Sequence, residues 1–301
     1  MIVDEQLNIE HHLGFYKHFL TGEPGRDEHW YQEAQYMHSL AVSDAIRDAH
    51  IDASILGQEF TNPDTNVHLR FGVARRTKFI WLSLRGLIGL ASPKRIEPML
   101  NDQVEEVARD LNVIYINIRG TLYNFAWSLI DLFGTERARK LQPMKVNLFG
   151  NDFLKMDILP DLAEFMGKFS EWNKELSNRR DPAAHRIPLS VPPAIIDQKT
   201  REEFDQASRE YSEAFSEATK KALQPGALAR FEQVEVLYDK LQRIGKFWPV
   251  FVHHPQMGTM PIYPTVPQDI GQLVRITRGI SDMIRKQGRS ENQKPGEGAG
   301  L

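Results

Sequence analysis

The residues best suited to chemistry stand together in the run Arg179-Arg180-Asp181-Pro182-Ala183-Ala184-His185-Arg186. Asp181 followed by Pro182 reads as a helix N-cap and first helical position, where a missing donor does no harm and proline's φ is already helical. A short helical turn is therefore expected to open at Pro182, directly after a longer helix, and to stop at Pro188. A helix start offers free backbone N–H groups and a positive dipole end to an anion. Arg180 can fork onto a phosphate through two parallel hydrogen bonds, and Arg179 and Arg186 add phosphate-binding charge beside it. His185, about one turn further on, can take or give a proton near pH 7. An arginine and a histidine at one phosphate suffice to cleave RNA without a metal. The histidine deprotonates the ribose 2′-OH or protonates the leaving 5′-oxygen, and the arginine stabilises charge building on the phosphoryl oxygens. Asp181 can orient either partner. The alternative is a surface Arg–Asp pair with a histidine that caps or packs the turn.

The elements that must position this run read as helices. From Asn101 to Phe133, apolar residues at Val104, Val107, Leu111, Ile114, Ile118, Leu122, Phe125, Leu129 and Leu132 recur in steps of three and four, and Gly134 ends the pattern. A second helix is expected over Asp161–Ser177, with Asp161 and Glu164 as a capping box. Others are expected over Lys199–Leu223, from Pro225-Gly226 to about Ile244, over Gln268–Lys286, His29–His50 and Leu69–Ala91. Two proline-rich stretches, Ile187–Pro193 and Trp248–Pro267, are expected to be extended or irregular. The fold class is all-α: one helical domain over residues 1–287, with a disordered polar tail over 288–301.

Composition excludes several classes. The chain has 301 residues, 37 Lys plus Arg against 40 Asp plus Glu, a formal charge of −3 and no cysteine. Thiol catalysis, thiolate zinc and disulfide scaffolds are ruled out, and the global basic character of a dedicated duplex-DNA binder is absent. There is no phosphate-binding Gly-rich loop ending in Lys-Ser/Thr, no Gly-x-Ser-x-Gly and no His-Glu-x-x-His. His11-His12 and His253-His254 are adjacent pairs that point apart, so surface or partly packed histidines are expected and no metal or cofactor is. Phe79–Ala91 is too short to span a bilayer and carries Arg85, and no signal peptide is read at the N-terminus, so a cytoplasmic protein without membrane partners is expected. Arg75, Arg76 and Lys78 beside Phe79 and Trp81 can form a basic, aromatic RNA-tracking patch or simply a solvated helix face. Asn124, Trp127 and Trp172 read as buried amide and packing residues.

Arginine, a polar residue and a histidine at the mouth of a helix, in an otherwise helical chain, resemble the HEPN superfamily (higher eukaryotes and prokaryotes nucleotide-binding domain). The resemblance covers about residues 69–222, with Arg75–Phe133 and the helix leading to the motif similar in layout to the family's core helices. It implies a four-helix up-and-down bundle, here with extra N- and C-terminal helices and a long Pro-rich segment. It also implies a homodimer that joins two Arg-x4–6-His motifs in one cleft, RNA as substrate, and a metal-independent endoribonuclease of the toxin or defence kind with an antitoxin or regulatory partner. Arg180 and His185 would be the catalytic pair and Asp181 the intervening polar residue. Pro182 and the later prolines depart from the pattern, since they delay the last bundle helix to about Lys199. Many family members are non-catalytic, so a helical interaction or nucleotide-binding module is the alternative. A helical ligand-binding protein unrelated to this family is a third reading.

Overall fold

The computed structural model describes residues 3–185, 187–254 and 258–292, with the side chains of 24–26, 182–185, 253–254 and 289–292 outside the description. The fold is all-α, with one two-stranded hairpin among the described residues. The helices run α1 (Ile9–Tyr16), α2 (Pro24–Leu56), α3 (Pro63–Asn66), a π-helix (Val67–Ala74), α4 (Arg75–Leu90), α5 (Asn101–Phe133), α6 (Glu136–Arg139), α7 (Asn151–Leu154), α8 (Leu162–Gly167) and α9 (Ser170–His185). They continue as α10 (Arg201–Lys220), α11 (Ala227–Gln242) and α12 (Thr265–Asn292), with strands β1 (Val250–His254) and β2 (Gly258–Pro261) before the last helix.

Five of these close a ring. α5 packs on α4, α4 on α2, α2 on α12, α12 on α9, and α9 back on α5. The predicted stripe of α5 supplies the centre: Val107, Leu111, Ile114, Ile118, Phe125 and Leu129 are fully buried. Removing each such side chain from water contributes about 1.5–3 kcal/mol. The hairpin plugs one side of the ring, with buried Phe251 6.2 Å from the Tyr115 ring. α10 and α11 pair with each other, Tyr211 against Tyr238 at 5.3 Å, and join the ring through the Asn101 N–H donating to Gln242 Oε1 at 2.9 Å and an Asn101–Tyr238 hydrogen bond. The helix expected to complete the bundle from Lys199 therefore stands outside it, and α2 and α12 close it instead.

α4 and α5 meet along a polar seam. Asp110, Asn117, Asn124 and Asp131 lie seven residues apart on one face of α5. Ser83 donates to Asp110 at 3.1 Å, Arg76 to Asn117 at 3.1 Å, and His68 Nδ1 sits 3.2 Å from Asn124 Oδ1. Ser83 and Arg76 keep the seven-residue step, but Arg76 and His68 are eight apart. The π-helix absorbs the extra residue in its wider turn and so brings His68 rather than Leu69 onto the seam. Glycines make the room: a Cβ at Gly72 would run into the Asn124 amide, one at Gly86 into Asp110, and one at Gly120 into the Arg76 guanidinium.

Several expectations are corrected. The helix expected over Asp161–Ser177 is two, α8 and α9, because Asp161 takes a left-handed conformation (φ 63°) and makes no side-chain cap. α9 then runs eight residues past Ser177. The Trp248–Pro267 stretch is extended as expected over the two strands of the hairpin, but ends in the first turn of α12. α12 continues through Gly288 to Asn292, so the tail begins later than expected, and residues 293–301 lie outside the described residues. His38 is completely buried. Its Nε2 lies 3.0 Å from the Leu7 carbonyl, and burial pushes its pKa down to about 4, so it stays neutral and donates to that carbonyl. No helix of the described residues is long and apolar enough to cross a membrane.

Candidate functional site

The whole Arg179–His185 run sits in the last turns of α9. The expected helix start at Pro182 does not exist: Pro182 lies inside the helix, and the run occupies its carbonyl end. The free N–H groups and positive dipole end invoked for an anion are therefore not there, since a helix C-terminus exposes carbonyls and carries partial negative charge. In a continuous helix, positions five apart are separated by about 140° around the axis. The helix positions of Arg180 and His185 thus face different sides, while Asp181 and His185, four apart, share one. The side chain of His185, and all of Arg186, lie outside the described residues.

Arg179 is not available to a phosphate. It is buried, and its Nε and Nη2 donate to Asp269 Oδ2 and Oδ1 of α12 at 2.9 and 2.8 Å. Trp172 Nε1 donates to the same carboxylate at 2.9 Å and the Tyr115 hydroxyl at 3.0 Å. Burial draws the Arg179 pKa down, but the charge of Asp269 and the hydrogen bonds to it outweigh this and hold Arg179 above its usual value. The expected phosphate contact is instead a structural node that joins α5, α9 and α12. Trp172, read as packing, is part of it through its N–H.

Arg180 faces another way. Its Nη1 donates to Asp181 Oδ1 at 3.1 Å, and it is half-buried while Asp181 is exposed. Across the α5–α9 contact stands Arg119, whose Nη1 donates to Asn173 Oδ1 of α9 at 2.6 Å. Burial lowers the Arg119 pKa, the nearby charge of Arg180 lowers it further, and Asp181 raises it. Arg119 makes no ion pair within the described residues. This arginine went unnoticed in the sequence because it lies 61 positions before Arg180, inside a helix read for its apolar stripe.

On the other flank of α5, Arg76 is bound in the same way. Its guanidinium lies across Gly120, the neighbour of Arg119, and is held by the neutral Asn117 oxygen; burial lowers its pKa. Between the contacts with α4 and α9, α5 turns Ile116 and Tyr123 outward. Among the described residues, no three His, Asp or Glu side chains gather as a metal-ligand group. Comparisons with protein-family models, with curated proteins and with solved structures each find no match to this chain.

Proposed function

We propose that the protein binds single-stranded RNA and cleaves it without a metal, in the manner of a HEPN-type endoribonuclease acting as a toxin or defence effector. The observation that supports this reading is the convergence of Arg119 and Arg180 beside Asp181, with burial and the charge of Arg180 both lowering the Arg119 pKa. Two guanidiniums near enough to feel each other's charge suit a phosphodiester, whose oxygens gain charge as the reaction proceeds. His185 removes the proton of the 2′-OH, the 2′-oxygen bonds to phosphorus, and the 5′-oxygen leaves and takes up a proton. The products are a 2′,3′-cyclic phosphate and a 5′-OH. Because the positions of Arg180 and His185 face different sides of α9, the pair is assembled in trans: Arg180 of one protomer with His185 of its partner, across a two-fold axis.

The test is cleavage of single-stranded RNA in excess chelator by the wild type, Arg180→Ala, His185→Ala and a co-refolded mixture of the two variants. The wild type should leave cyclic-phosphate ends, and each variant should lose at least about 100-fold. The mixture should regain about a quarter of the activity, since half of random dimers hold one intact composite site. A mixture that stays inactive would overturn the trans arrangement. A wild type that cuts nothing would overturn catalysis and leave the non-catalytic binding module. That second reading is favoured by one observation: the motif lies at the carbonyl end of α9, where the backbone offers an anion no donors.

A further inference from the structure

Residues 67–96 contain seven Lys and Arg and no Asp or Glu, leaving 30 basic against 40 acidic residues in the rest of the chain. Six of the seven make no ion pair among the described residues: Arg70, Arg75, Arg76, Lys78, Arg85, and Arg95, which donates to backbone carbonyls and Gln103, whereas Lys94 reaches Glu33 at 2.7 Å. Elsewhere surface cations commonly are paired, as Arg47 with Asp44, Lys221 with Glu217 and Arg285 with Asp52. The same helical stretch exposes Phe71 (62%) and Phe79 (40%), together with Leu82. Arg70 lies over the Phe71 ring at 5.8 Å and Arg75 over Phe79 at 5.6 Å. Beside them, Arg76 crosses to Gly120 of α5, next to the outward Ile116 and Tyr123.

A membrane-binding helix segregates its cations from its apolar face. Here the two alternate along the exposed side as Phe71, Arg75, Lys78, Phe79, Leu82 and Arg85. Alternating cations and aromatic rings suit a polyanion that carries a flat base at each step: guanidiniums take the phosphates and phenyl rings stack the bases. We propose that the exposed side of the π-helix and α4, with Arg76 on Gly120 as its inner seat, docks single-stranded RNA. The outward strip of α5 then leads the strand from Arg76 to Arg119 and Arg180. This inference rests on the RNA part of the reading above and not on its cleavage chemistry.

The test is fluorescence anisotropy of the full chain with labelled 2′-O-methyl oligouridine, which binds as RNA but has no 2′-OH to react. The variants are Arg75→Gln with Lys78→Gln, Phe71→Ala, Phe79→Ala, and Arg201→Gln with Lys221→Gln as a control on paired cations at the two ends of α10. All are at exposed positions, and thermal melts confirm folding. The charge variant should bind at least about 10-fold more weakly, with the slope of log K against log salt reduced by about 1.4, at ~0.7 per lost contact on a single strand. Each phenylalanine variant should lose about fivefold or more, and the α10 control should lose nothing. A wild type that ignores the oligonucleotide, or that binds phosphatidylserine vesicles in its place, would overturn the proposal. So would α4 variants that keep full binding while Arg119→Gln loses it, a result that leaves the cleavage site standing. Binding that needs α4 in a protein that cuts no RNA supports the surface and sinks only the nuclease.

Discussion

At the scale of single residues, Arg179 and Arg180 are neighbours of the same type with opposite fates. One helix step, about 100°, turns Arg179 into the ring and Arg180 toward Arg119. Asp269 receives four hydrogen bonds, from Arg179 twice, Trp172 and Tyr115, and is 2% exposed. Removing the carboxylate leaves a buried guanidinium whose remaining counter-charge is the exposed Glu175, 3.4 Å away, so Asp269→Ala should destabilise the fold by about 3 kcal/mol. Tyr115→Phe, which removes one donor and no charge, should lose about 1 kcal/mol. Urea denaturation read by circular dichroism checks both, and equal losses for the two variants would contradict the assignment. The sequence marked the Arg-Asp-x-x-x-His run correctly as polar and basic, but could not divide its arginines between structure and surface. That division depends on an aspartate 90 positions away.

At the scale of elements, long periodic helices were legible and local irregularities were not. The stripe from Asn101 to Phe133 predicts α5 with its bounds, because nine apolar residues agree on one face. The break at Asp161 and the π-helix escape such reading, since neither changes the residue types that periodicity counts. The left-handed Asp161 stands where a capping residue is expected, and the π turn alters only the phase of what precedes it. The seam offers a comparison of two glycines close together in the chain. Gly72→Ala drives a methyl into the Asn124 amide and should destabilise by about 1–3 kcal/mol. Gly89, near the end of α4, has nothing near its missing Cβ, so Gly89→Ala should stabilise by about 0.4–1 kcal/mol. Chemical denaturation of the two variants side by side is the check, and effects of the same sign would mean the seam is not closely packed.

At the scale of the whole molecule, burial is uneven. The five-helix ring holds most of the core, whereas α10 and α11 bury only Ala207, Ala218 and Val234 and leave Phe215, Leu228, Phe231 and Val236 exposed. Segments with so few buried apolar contacts open without global unfolding. Amides of α10 and α11 should therefore exchange with deuterium at least about 100-fold faster than those in the middle of α5, and matched protection would show that this helix pair is one cooperative unit with the ring. The all-α class was legible from the number of periodic stretches. Which helices close the ring was not, because α2 and α12 come together across the length of the chain and no local pattern announces that pairing. The Asp269 node has a consequence for synthesis. A ribosome delivers Tyr115, Trp172 and Arg179 well before their common acceptor, which arrives in the last helix. Until α12 emerges, Arg179 has only the exposed Glu175 of its own helix as counter-charge, so burial of that side must wait for α12.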